Sequence, residues 1–284
     1  MATRHMAAGA LALLLLATAG AATAQMATLQ AIRTATRGPF LDPEAAFWQQ
    51  APAVTVAMLP QTITTPSDPT PAVSSLNVKA AHDGRWFAVL LDWADATRSD
   101  RIVVDQFGDQ VAVEFPLVYE KDALPSPMMG NTGRRVEIWQ WRAAFQADLA
   151  RGRPVDTHDL YPNAHVDVYP DQVLQAIDTR PYMGAVGVDN LITRAGRSPV
   201  LEQVAEGWGT LTIEPEDQQA DGKGVWRDGV WRVVLTHPMK GGDGDVRFVP
   251  GEETAAAFAV WDGGSGEVGP RKAWATWITV ELAR

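Results

Sequence analysis

The chain has 284 residues and a formal net charge of −10, with 24 Lys plus Arg against 34 Asp plus Glu, and it contains no cysteine. An acidic balance of this size argues against nucleic acid and anionic membrane surfaces as partners. The lack of Cys excludes disulfides, thiolate metal sites, iron–sulfur clusters and covalent haem attachment through Cys-x-x-Cys-His.

Arg4 and His5 precede a short apolar run from Ala10 to Ala17, and Ala22-Thr23-Ala24 is a small-residue cleavage site. This is the layout of a secretory signal peptide, so residues 1–25 are expected to be removed, leaving Gln25 or Met26 first. Loss of Arg4 with that segment makes the charge −11. Two tandem arginines are lacking there, which points to general secretion. No later stretch reaches the ~18 apolar residues of a membrane span. Residues 26–284 are expected to form a single soluble domain whose core is supplied by 11 Trp and 8 Phe.

Residues 38–50 predict a turn and a short helix, with Asp42 as N-cap and Pro43 at the first helical position. Residues 53–59 alternate as a strand, and 60–71 form a Thr/Pro-rich connection. Strands over 75–82 and 85–92 meet across Asp83-Gly84, a strong hairpin signal. Val111, Val113 and Phe115 alternate with Ala112 and Glu114, the pattern of a half-buried strand. A loop broken by Pro125, Pro127 and Gly130 follows, then a second, tryptophan-rich strand through Val136, Ile138, Trp139 and Trp141. Residues 151–197 are punctuated by Pro154, Pro162, Pro170 and Pro181 and predict a long functional or partner-covering loop. Residues 207–213 read as a strand entry, Asp228-Gly229 as a hairpin turn, and 258–262 and 273–282 as closing strands. The fold class is therefore all-β: an antiparallel β-sandwich with short helices in long loops.

Catalytic signatures are missing: there is no Gly-x-Ser-x-Gly, His-Glu-x-x-His or Walker loop. Glu252-Glu253 and Asp243/Asp245 read as solvated turn residues, and 184–189 and 241–245 only faintly resemble calcium or phosphate loops. His82, His158, His165 and His237 stand at no diagnostic ligand spacing. Met128 and Met129 sit in the Pro/Gly-broken loop, where a thioether serves either as a gap-filler or as a soft ligand. Lys223, one of five lysines, lies between two glycines just before Val225-Trp226 and reads either as a solvated turn residue or as a ligand.

Several segments resemble the haem b-binding gamma subunits of the ethylbenzene dehydrogenase and dimethylsulfide dehydrogenase group, which includes selenate and chlorate reductases. They are residues 42–48 (DPEAAFW), 107–116 (FGDQVAVEFP), Met129-Gly130 followed by 136–141 (VEIWQW), 207–212 (GWGTLT) and 222–231 (GKGVWRDGVW). The resemblance implies one non-covalent haem b held between the sheets, with a methionine and a lysine as axial ligands. The methionine maps onto Met129, with Met128 as a one-residue alternative, and the lysine onto Lys223, with Lys240 as its rival. It further implies a periplasmic electron-transfer subunit, without catalytic residues of its own, in a heterotrimeric molybdoenzyme. The expected partners are a molybdopterin catalytic subunit, an iron–sulfur subunit and a soluble c-type cytochrome or similar carrier. Within the group, dimethylsulfide dehydrogenase is the preferred likeness. The competing reading is a cofactor-free secreted β-sandwich that binds carbohydrate or a protein partner.

Overall fold

The structure, a computed structural model, describes residues 26–155, 157–163, 190–193, 195–242 and 244–284. The expected signal peptide at 1–25, His165 and the glycine-rich 184–189 segment lie outside the described residues. Among the described residues, twelve strands form one continuous sheet: β1 Thr28–Arg33, β2 Val54–Ala57, β3 Leu59–Pro60, β4 Ser75–His82, β5 Trp86–Ala94, β6 Gln110–Pro116, β7 Val136–Arg142, β8 Val200–Ala205, β9 Asp221–Arg227, β10 Val230–Pro238, β11 Glu253–Trp261 and β12 Ala273–Leu282. Helix α1 spans Ala143–Arg151 and a single turn, α2, spans Thr157–Leu160. Among the described residues no helix is long and apolar enough to cross a membrane.

The strand order is β8-β7-β6-β11-β12-β1-β4-β5-β10-β9, with β2 on β4 and β3 on β12. The sheet folds back on itself, because one core cluster draws Val111, Val113, Phe115, Trp139 and Trp141 from one arm and Phe87, Val89, Leu91, Trp231, Val233 and Leu235 from the other. The free ends of the two arms approach each other. A Cβ on Gly222 of β9 would stand 2.8 Å from Val200 of β8, and one on Gly224 would stand 2.4 Å from the Trp141 ring. The result is a nearly closed sandwich.

The pairing is antiparallel except at β1, which runs parallel to both β12 and β4. The all-β sandwich is as expected, and β1 adds two parallel pairs to an otherwise antiparallel sheet. The first strand enters the seam between the two arms, and its neighbours are reached by long connections that permit parallel pairing. The hairpins stand where the Asp-Gly pairs put them: β4 and β5 meet at Gly84 (φ 87°), β9 and β10 at Asp228 (φ 53°) and Gly229 (φ 77°). The 38–50 helix is a 3-10 turn over Ala46–Gln49, and Asp42 caps nothing within it; its Oδ1 instead accepts the Glu44 N–H at 2.9 Å. Residues 207–213 form a turn with a single Val204–Thr212 bridge, because Gly207 (φ 118°) and Gly209 (φ 79°) leave the extended region.

The most consequential departure from the pattern concerns β6. All seven of its residues are buried, so it is not a half-buried strand. Its inner side faces the core; its outer side, with Ala112, belongs to a second cluster with Val136, Ile138, Ala205, Ala255, Ala257, Trp261 and Trp277. Tyr119, Leu124 and Met129, from the connection between β6 and β7, pack on that cluster and help cover this face.

Candidate functional site

The covered outer face of β6, β7 and β11 carries the side chains with the richest chemistry. Its floor is small: Ala112, Ala205, Ala255 and Ala257 are all buried there, and Ala259 is partly buried beside them. Alanines at successive outward positions leave a flat, low surface. Trp277 closes one side, its indole N–H donating to the Pro125 carbonyl at 2.7 Å, and Trp261 stands at another, bonded to the Gly269 carbonyl at 2.9 Å.

Met129 enters this layer from the cover loop. Its backbone is left-handed (φ 69°), a region that costs a non-glycine residue on the order of 1 kcal/mol or more. Three hydrogen bonds hold the segment in place. Met129 N donates to Glu114 Oε2 at 3.2 Å, Gly207 N donates to the Met129 carbonyl at 2.7 Å, and Gly130 N donates to the Ser126 carbonyl at 3.0 Å. Gly130 (φ 71°) is required by its position, since a Cβ there would stand 2.7 Å from the Arg134 carbonyl oxygen. Met128 is also partly buried, its N–H bonded to Ser126 Oγ at 3.3 Å, but it is not among the residues packed on the alanine face.

Lys272, one residue before β12, brings an amine to the same face. Its Nζ lies 4.9 Å from the centroid of the Trp261 ring, a member of the same cluster. Burial depresses its pKa, partly offset by the Glu114 charge. Glu114 is the group that interacts with both donors. It is buried, one oxygen takes the Met129 N–H, and the other, Oε1, has no hydrogen-bond partner. Burial pushes its pKa up to about 8, against the opposing pull of the Met129 N–H and the Lys272 charge. A thioether, an amine whose pKa burial lowers and a carboxyl with a spare oxygen thus share a covered, alanine-floored layer. Grooves open elsewhere: one of about 610 Å³ beside Gln30, Glu253 and Arg284, and one of about 390 Å³ between Leu117, Pro125 and Arg135. Neither is lined by Met129 or Lys272.

Lys223 and Lys240 stand differently. Lys223 is exposed on β9 and pairs in register with Val234, which packs on the outer face of the other arm with Phe40, Trp48 and Leu90. The flanking glycines explain its odd setting: Gly222 and Gly224 point inward against Val200, Leu235 and Trp141, so the residue between them points outward. Met129 and Lys223 therefore occupy the outer faces of opposite arms, with the core between them. Lys240 is exposed in the bridge to Arg247 after β10. Lys272 escaped sequence reasoning because it follows a Gly-Pro-Arg turn and looks like strand-entry solvation. The available signal was its rarity, together with the alternation of the strand that follows.

Two histidines are core residues. Burial lowers the pKa of His82, whose Nε2 lies 2.8 Å from the Ala283 carbonyl. His237 stacks on Trp139 with ring centroids 5.0 Å apart, and its Nε2 lies 3.1 Å from Glu202 Oε1. Burial opposes its charge, but the Glu202 hydrogen bond and the charges of Glu202 and Glu137 outweigh it and raise its pKa. Glu137, Glu202 and His237 converge within 4.8 Å, yet their polar atoms are engaged by one another, by Trp139 Nε1, and by the backbone N–H groups of Val246, Gln219 and Ala220. This is a satisfied core network.

The sequence model of the family described as "Ethylbenzene dehydrogenase" matches residues 45–273. Three curated relatives are similar over much of the chain. Chlorate reductase subunit gamma of Ideonella dechloratans is 36% identical over 173 residues, covering 55% of this chain and 70% of the relative. Dimethylsulfide dehydrogenase subunit gamma of Rhodovulum sulfidophilum is 28% identical over 232 residues, covering 78% and 67%. A Haloferax mediterranei protein provisionally named a respiratory nitrate reductase heme subunit is 24% identical over 238 residues, covering 83% and 66%. Each match thus spans about two thirds of the relative's own length, 66–70%.

Proposed function

The chain belongs to the ethylbenzene dehydrogenase family, and on that premise we propose that it is a periplasmic haem b electron-transfer subunit of a molybdoenzyme. The names of the relatives, a heme subunit and two gamma subunits of oxidoreductases, support the assignment. The observation that carries it is that Met129 and Lys272 both reach Glu114 on one covered face floored by alanines. The resemblance calls for one methionine and one lysine on the iron. Met129 keeps its role, and Lys272 takes the place of Lys223 because Lys223 faces solvent on the far arm.

The donor set fits a haem. The small alanine side chains put little bulk in this layer, and neutral thioether and amine ligands suit an iron that must be reduced readily. Met129 and Lys272 would hold the group, and a haem held by two protein ligands would supply one-electron transfer. The chain's own residues do the rest. The partly buried setting of Lys272 shifts its pKa in the direction of the neutral amine that can act as a ligand. Glu114 anchors the loop carrying Met129, and the indoles of Trp261 and Trp277 bound the layer.

In this reading the chain relays electrons between an iron–sulfur subunit and a soluble carrier such as a c-type cytochrome, while the substrate chemistry resides in the molybdopterin subunit. The acidic charge suits a basic carrier. The test is expression with adequate haem supply, followed by a visible spectrum and acid–acetone extraction. A Soret band whose pigment extracts supports the proposal; a colourless folded protein overturns it.

A further inference from the structure

At the end of the sandwich where β5 and β11 finish and β6 begins, three aspartates meet. Asp95 directly follows β5, Asp109 directly precedes β6, and Asp262 directly follows β11. One carboxylate oxygen from each lies within 4.8 Å of the others, and all three residues are at most 9% exposed. Most of their oxygens are engaged. Asp109 accepts from Ser99 N, Trp231 Nε1 and Gly263 N at 2.7, 2.9 and 2.9 Å. Asp262 accepts from Ser265 N and Ser265 Oγ at 3.0 and 2.9 Å, and Asp95 Oδ1 accepts from Thr97 N at 3.0 Å.

Asp95 Oδ2 is the exception. The residue is 3% exposed, and this oxygen has no partner of hydrogen-bonding geometry. The Trp93 indole N–H, also without such a partner, approaches closely enough to favour the carboxylate's charge but does not satisfy it. Among the described residues no Lys or Arg forms an ion pair with any of the three. Each aspartate is instead neighboured by its like-charged partners. A buried group of this kind needs a compensating positive charge or retained protons.

We propose that Asp95, Asp109 and Asp262 form a structural site for a divalent cation of calcium size. Every donor is oxygen, which favours a hard cation over a transition metal. Oxygens bound at about 2.4 Å to one Ca²⁺ stand at most about 4.8 Å apart, so the observed spread is compatible with a common ion. Thr97 Oγ1, 3.4 Å from Asp95 Oδ1, is near enough to join the set. Gly263 and Gly264 let the chain close over it, since a Cβ on Gly263 would stand 2.0 Å from the Phe107 carbonyl oxygen and one on Gly264 2.3 Å from Thr97 Oγ1. The cation would pin together the ends of β5, β6 and β11. Two of these strands carry the alanine floor and Asp262 follows Trp261 of that layer, but none of the three aspartates belongs to it.

The test uses the purified chain after EDTA treatment. Tb³⁺ is titrated with excitation of tryptophan, because the Trp231 indole bonds directly to Asp109 and would sensitise a bound lanthanide. Thermal unfolding is then compared with and without Ca²⁺. The proposal expects at least a several-fold rise in Tb³⁺ emission, reversed by Ca²⁺ at lower concentration than by Mg²⁺, and a Ca²⁺-dependent rise in melting temperature. Asp95→Asn and Asp262→Asn should each abolish both responses, while Asp95→Asn in EDTA should melt no lower than the parent because it removes a buried like charge. Absence of both responses in the parent chain overturns the proposal, as does a response that survives both substitutions or a preference for Mg²⁺.

Discussion

The backbone N–H of Met129 donates to Glu114 at 3.2 Å, tying a left-handed loop residue to the outer face of a central strand. The adjoining Gly130 makes that geometry possible. Gly130→Ala would place a Cβ 2.7 Å from the Arg134 carbonyl at φ 71°. We expect a loss of about 1–3 kcal/mol in stability from strain and overlap. Haem retention should fall further than stability does, as read by the ratio of Soret to protein absorbance beside a urea titration.

The alanine floor gives a second prediction. Ala257 is 1% exposed and lies on β11 beside Glu114 in register. Ala257→Leu adds volume in the layer where the macrocycle is to lie, at a cost of about 1–3 kcal/mol to the fold. The variant should keep its β-type circular dichroism and take up little haem on reconstitution. Full haem loading would move the cofactor away from this face.

Lys223 and Gly224 are neighbours with opposite expectations. Gly224→Ala drives a Cβ to within 2.4 Å of the Trp141 ring, so it should destabilise by about 1–3 kcal/mol or force β9 away from the core. Lys223→Ala removes a solvated side chain and should change stability by no more than about 0.5 kcal/mol. Urea midpoints of the two variants measured side by side check the contrast.

The core network carries a pH dependence. Burial raises Glu137 to about 7, moderated by His237 and reinforced by Glu202. The folded state then keeps a proton that the unfolded chain releases near its ordinary value of 4.5, so this contribution is whole below that value and is lost as pH rises through about 7. The raised pKa of His237 acts with the same sign, above its ordinary 6.5. The cofactor-free protein should unfold at lower urea at about pH 8 than at about pH 5.5. Glu137→Gln should flatten this difference. Glu114 titrates in the same direction, so the comparison is between variant and parent.

The hairpins were legible because Asp-Gly pairs encode their own turns, and β12 because its alternation is long. Strand β1 was not, since its place is set by parallel neighbours far away in sequence. Glu114 looked like an outward, solvated residue, and only the loop folding over β6 makes it a buried carboxyl. The same covering sets which lysine shares its face. Met129 could be singled out from its turn and its resemblance, but whether Lys223 or Lys272 shares its face depends on which arm each strand joins. The Gly-Lys-Gly segment drew attention to Lys223 for a reason that belongs to its neighbours, the close approach of Trp141 to Gly224.

The most direct measurement compares the haem-loaded parent with Lys272→Ala and Lys223→Ala by visible and electron paramagnetic resonance spectroscopy of the oxidised protein. The parent and Lys223→Ala should show a six-coordinate low-spin signature, and Lys272→Ala its conversion to high-spin or altered low-spin iron. A Lys272→Ala protein with the parent's spectrum, or a Lys223→Ala protein that loses it, would rule out Lys272 as the ligand.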